Sequence, residues 1–118
     1  MTIAKHRKNL IQWAQALESG EYKQGMGRLC SLNPKGEERH CCIGVALEEF
    51  GSAKIGWELG ENGSCYSWEG DWSNPPPEFM ACTFGLFWDD SEYLIDLNDN
   101  KKYGFKRIAK IIRNMAGK

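Results

Sequence analysis

Cys41 and Cys42, preceded by His40, are the residues whose types and spacing come nearest to chemistry in this chain. A thiol at a helix N-terminus has its thiolate favoured by the helix dipole, and a neighbouring imidazole can serve as a base. The pair lies between a strand-like run, Arg39 to Ile43, and the apolar stretch Val45, Ala46, Leu47, so Cys42 is the thiol closer to a helix start. Against nucleophilic catalysis, adjacent strand positions face opposite sides and no Asn or Asp stands at a recognised orienting spacing. Cys42 with His40 is therefore a weak catalytic candidate, set against the commoner role of cysteine as a small core residue.

Cys30, Cys65 and Cys82 bring the thiols to five. Zinc prefers thiolate and imidazole ligands, but the chain has no C-x-x-C pair, so spacing assigns no metal site and no cofactor. The doublets Glu48-Glu49 and Asp89-Asp90 read as solvated carboxylates rather than an acid–base pair. Gly25-x-Gly27 lacks the third glycine of a dinucleotide fingerprint and reads as a bulge or tight strand bend. Free amides near Gly44, with Lys23 and Arg28 on the adjacent hairpin, form a candidate anion cradle.

These residues must be positioned by a few short elements. Leu10, Trp13, Ala14 and Leu17 fall at i, i+3, i+4 and i+7, which predicts an amphipathic helix over residues 3–18, ended by Ser19-Gly20. Tyr22 to Ile43 reads as a hairpin around the turn Asn33-Pro34-Lys35-Gly36, passing into a short helix that Gly51 stops. A second hairpin is predicted from Trp57 to Trp68 around Glu61-Asn62-Gly63. Pro76 or Pro77 starts a short helix carrying Phe79, Met80 and Phe84, with Gly85 closing it. Ser91 to Leu97 fits a strand or a helical turn equally. Phe105, Ile108, Ile112 and Met115 lie on one stripe of a final helix over about 104–116. The expected architecture is α+β, a small antiparallel sheet from two hairpins packed by N- and C-terminal amphipathic helices, in a single domain of 1–118.

The net charge of −1 excludes a uniformly basic nucleic-acid binder and a strongly acidic DNA mimic, and conceals a segregated pattern. Residues 1–35 hold six basic and two acidic side chains, residues 36–99 two and 14, and residues 100–118 seven and none. Two readings stand open. The basic terminal helices pack over the acidic middle, or they form a basic patch for a phosphate-bearing ligand or acidic partner. Aromatic residues gather in that middle: Trp57, Tyr66, Trp68, Trp72, Phe87 and Trp88. They either cover a glycine-rich sheet or supply rigid contact area for a base or a protein interface. With no apolar run of about 20 residues, no secretory h-region and an odd cysteine count, a reduced cytoplasmic setting without membrane contact is expected.

Taken together, the run Trp13 to Gln24 (W-x-x-A-L-x-S-G-x-Y-x-Q), the centre Cys41-Cys42-Ile43-Gly44-Val45 and the ending Leu97-Asn98-Asp99 with Phe105-x-x-Ile108-Ala109-x-x-Ile112 make a set. In this order they resemble a group of small uncharacterised proteins of tailed bacteriophages. The resemblance implies an accessory phage gene acting in the bacterial host cytoplasm, a kind of gene that often antagonises host defence. Without a convincing nucleophile, acid–base pair or metal set, a binding protein is expected rather than an enzyme. The leading expectation is sequestration of a nucleotide-derived signalling ligand by Lys23, Arg28, Trp57, Trp68 and Trp72. The alternatives are occlusion of a host immune protein complex, in the manner of an anti-CRISPR, and a small cysteine-dependent enzyme centred on Cys42. Direct nucleic-acid binding is disfavoured, and the oligomeric state is left open.

Overall fold

The helical spacing of Leu10, Trp13, Ala14 and Leu17 is realised in the computed structural model, which describes residues 3–51, 57–59, 65–68 and 73–117. They are the buried stripe of helix α1 (Ile3–Glu18). Strands β1 (Cys30–Leu32) and β2 (Glu38–His40) then form an antiparallel hairpin in which Cys30 lies opposite His40. Asn33 sets the turn: its side-chain oxygen accepts from the Lys35 and Glu37 N–H groups, each at 2.9 Å, the local bonding that makes Asn a turn former. On the other side of β2 the backbone of residues 23–25 lies parallel to it. There the His40 N–H donates to the Lys23 carbonyl and the Gly25 N–H to the His40 carbonyl, both at 2.8 Å.

Helix α2 (Cys42–Phe50) follows directly, and Gly51 ends it by donating to the Leu47 carbonyl. Strands β3 (Trp57–Leu59) and β4 (Cys65–Trp68) make the second hairpin, with Trp57 opposite Trp68, and β4 pairs with β1. The sheet order is β2-β1-β4-β3, antiparallel throughout. The predicted turn at Glu61-Asn62-Gly63 lies outside the described residues.

Pro77 occupies the first turn of α3 (Pro77–Phe84), where no intrahelical N–H bond is required, and Gly85 closes it at φ +70°, a conformation that suits glycine. Residues 91–97, undecided by periodicity, belong to helix α4 (Trp88–Asp99). The Asp90 carboxylate accepts the Phe87 N–H at 3.0 Å, and Asp89 and Asp90 put negative charge at the positive end of the dipole. The last helix, α5 (Phe105–Ala116), buries Phe105, Ile108, Ala109, Ile112 and Ala116.

Trp13 anchors the core. It is fully buried, packs on Phe84 with ring centroids 4.7 Å apart, and donates its indole N–H to the Cys42 carbonyl at 2.9 Å. Phe50 and Phe79 meet Phe84 edge-on at 5.1 and 6.0 Å. Burying a side chain of this size contributes about 3 kcal/mol. The most extensive helix contact joins α1 to α5. Arg7 Nε donates to the Ala116 carbonyl at 2.9 Å, and Arg113 pairs with Glu18 at 2.6 Å. Their apolar stripes bring the two basic helices together, and both also pack on the middle of the chain, α1 on α2 and α3 and α5 on α4. Lys8, Lys106 and Lys110 point outward. Among the described residues no helix is long and apolar enough to cross a membrane.

Candidate functional site

Of the five residues expected to share a ligand cleft, the structure describes the strand positions of some and sets their backbones well apart. Lys23 lies beyond β2 at one edge of the sheet, while Trp57 and Trp68 are paired on β3 and β4 at the other. At about 4.8 Å between neighbouring strands, the Lys23 backbone is roughly 14 Å from β4 and 19 Å from β3. Lys23 Nζ instead faces Glu37 Oε2 at 3.5 Å. Arg28 is exposed, donating to the adjacent Gly27 carbonyl at 3.0 Å, and Ser73 Oγ donates to that same carbonyl. Trp72, next to Ser73 in sequence, lies outside the described residues. Strand order thus sets the Lys23 backbone apart from the Trp57–Trp68 pair. The close Gly-x-Gly reads as expected, as a bend, with Gly27 at φ +77°.

The expected anion cradle at the start of α2 is filled from within. The Gly44 N–H donates to Cys41 Sγ at 3.4 Å and the Cys42 N–H to Asn98 Oδ1 at 3.2 Å, both in buried surroundings. The same burial weighs against Cys42 as a weak catalytic candidate and agrees with its reading as a core thiol. Cys41 is the N-cap and Cys42 the first helical residue, yet desolvation outweighs the dipole. Burial pushes the Cys41 thiol up to about 12 and the Cys42 thiol well above its ordinary value. Cys42 Sγ faces the Leu94 carbonyl at 3.6 Å, and His40 is held neutral chiefly by desolvation. Cys82, by contrast, is exposed. Alkylation near neutral pH is expected to label Cys82 first, with Cys41 and Cys42 reacting at least about a hundredfold more slowly, as an opening cost of roughly 3 kcal/mol requires. Mass spectrometry of a labelling time course checks this; fast modification of Cys42 would revive the enzyme reading.

The motif residues do converge, on Asn98. Its side chain is fully buried and uses its whole hydrogen-bonding capacity. Oδ1 accepts from Gln24 Nε2 at 2.9 Å and from the Cys42 N–H, while Nδ2 donates to the Gly25 carbonyl at 2.9 Å and to Asp99 Oδ1 at 2.8 Å. Gln24 Nε2 also reaches the Tyr103 carbonyl at 2.8 Å. Gly44 is required for a different reason: a Cβ there would meet the Leu29 carbonyl oxygen at 1.9 Å, because α2 lies directly on the backbone that leads into β1. The W…Q, C-C-x-G-V and L-N-D motifs thus tie four segments into one polar centre, and each residue's part in it is structural.

What faces outward is an aromatic and acidic surface. Phe87, Trp88 and Tyr93 are 71, 48 and 49 % exposed. Trp88 and Glu92, and likewise Asp89 and Tyr93, are four apart on α4 and share its outer face. Trp88 and Phe87 belong to the aromatic cluster seen in sequence, but Tyr93 was overlooked because residues 91–97 had no settled period. The doublet Asp89-Asp90 starts α4, whereas Glu48 and Glu49 end α2, where Glu49 Oε1 accepts from Tyr22 Oη at 3.2 Å.

These features define a small α+β domain in which Gln24, Cys42 and Asn98 tie separate segments together. The chain belongs to the family described as Domain of unknown function (DUF8296), whose model matches residues 6–116. No curated protein and no solved structure matches it.

Proposed function

We propose that this chain is a bacteriophage accessory protein that works in the bacterial cytoplasm and antagonises a host defence system by binding and occluding an immune protein. The observation that carries this reading is the outward face of α4, with Trp88 and Tyr93 about half exposed beside Phe87. Large, rigid aromatic side chains are the usual anchors of protein interfaces. Asp89, Asp90, Glu92 and Asp96 surround them, and α4 carries no basic residue. A partner with a basic surface is complementary to that face, and its association slows as salt rises. Sequestration of a nucleotide-derived ligand has less support, since Lys23 stands apart from the Trp57–Trp68 pair.

The test is phage growth in bacteria carrying individual defence systems, with and without this protein. Wild type is expected to restore growth against one system and to retain a stoichiometric host protein on purification. Trp88→Ala with Tyr93→Ala is expected to lose that rescue and weaken the complex by about thirtyfold or more, while its melting temperature stays near wild type. Undiminished rescue by the double variant would remove this face from the function. Calorimetric binding of a nucleotide by the purified protein would restore the ligand-sequestration reading.

A further inference from the structure

We propose that Cys30, Glu38 and His40 bind a divalent transition-metal ion of the zinc class, with Glu48 as the fourth ligand. The β1–β2 register puts Cys30 opposite His40, and Glu38 is two residues from His40 on the same strand, so all three side chains share one face. Their donor atoms, a sulfur, a carboxylate oxygen and an imidazole nitrogen, all lie within 4.8 Å of one another. Glu48 follows Gly44 by one helical turn on the side of α2 that abuts His40, and its Oε2 is 3.7 Å from His40 Nε2. Donors around a tetrahedral zinc ion, at about 2.0–2.3 Å from the metal, stand roughly 3.5 Å apart, so Cys30, Glu38 and His40 need to contract by only about 1 Å, while Glu48 closes on them from beside His40. Glu38 is exposed and Glu48 half-buried, and their side chains can supply that movement.

Three further features suit this donor set. His40 is 3 % exposed and its backbone is fastened on both sides, to β1 and to residues 23–25, so its ring is placed in advance. Cys30 is buried at 2 % yet stands outside the contiguous apolar core that takes in Cys41 and Cys42. A pocket of about 340 Å³ lined by Glu21, Glu37, Glu38, His40 and Glu48, with Lys23 as its basic residue, gives a cation a negatively charged approach. Thiolate, imidazole and carboxylate together select a borderline cation such as Zn²⁺ over Ca²⁺ or Mg²⁺. Bound there, the ion would link β1, β2 and α2.

Titration of the full chain with Co²⁺, an optical probe for zinc sites, is the test. One equivalent is expected to produce the absorption of tetrahedral Co²⁺ together with a thiolate-to-metal band, and Zn²⁺ is expected to displace it and raise the melting temperature. Cys30→Ser is expected to abolish the thiolate band, and Cys82→Ser to leave it unchanged. Glu38→Gln, at an exposed position that the fold does not need, is expected to weaken binding by about tenfold or more, a loss that even removal of an outer partner brings. Absence of the band from wild type, or equal bands and affinities in Cys30→Ser and Glu38→Gln, would overturn the proposal.

Discussion

Gly44→Ala is expected to leave the protein insoluble on expression, or to destabilise it by more than about 3 kcal/mol. The added methyl would lie 1.9 Å from the Leu29 carbonyl oxygen and 2.9 Å from its carbon, both backbone atoms that no rotamer change can move aside. Relief requires α2 to retreat from the Leu29 backbone by about 1.5 Å to reach ordinary van der Waals distance. Val45, Ala46 and Leu47 are fully buried on the same helix, so that retreat opens the core as well. A useful comparison is Gly104→Ser at the N-cap of α5, where nothing lies within 4 Å of the added Cβ and φ is −67°. There a hydroxyl that caps the helix is expected to be neutral or to add a few tenths of a kcal/mol. Urea denaturation of the two variants separates these outcomes, and a Gly44→Ala protein with a wild-type midpoint would contradict the packing of α2 on the Leu29 backbone.

Asn98→Ala is expected to cost about 3–5 kcal/mol, a large part of the roughly 6–18 kcal/mol that a domain of this length possesses. The reason is what it leaves behind. The Cys42 N–H and the Gly25 carbonyl are buried with Asn98 as their side-chain partner, and Gln24 loses one of its two contacts. Each buried group deprived of its partner costs about 1–3 kcal/mol, and the network as a unit is worth more than isolated pairs. Gln24→Met removes one member and is expected to cost about 1–2 kcal/mol. Equilibrium unfolding monitored by tryptophan fluorescence measures both. Asn98→Ala within 1 kcal/mol of wild type would mean that water replaces the amide and that the motif serves something other than the fold.

Much of the fold was legible because it is written in local chemistry. The 3.6-residue spacing from Leu10 to Leu17 and from Phe105 to Ile112, the Asn33–Gly36 turn, Pro77 with Gly85, and Gly51 each specify an element through contacts within a few residues. Residues 91–97 were illegible because α4 buries just Ser91, Leu94, Leu97 and Asn98, two of them polar, so no clean apolar stripe exists. The site residues fared less well. Cys42 was correctly placed at a helix start, but its burial under α4 depends on Leu94, 52 positions away. Lys23 was chosen for charge and proximity in sequence, and strand order then set it at the opposite edge from Trp57.

By itself the sequence determined every described helix except α4, the two hairpins, the α+β class and the segregation of charge, because periodicity, turn residues and composition act over short range. The tertiary structure alone decided which face each charge occupies, that the motif residues meet at Asn98, and that Cys30, Glu38 and His40 share one face. Those outcomes depend on register and helix docking between segments such as Gln24 and Asn98, 74 residues apart. No local spacing encodes such contacts; they are selected when burial of the apolar stripes fixes how the elements pack.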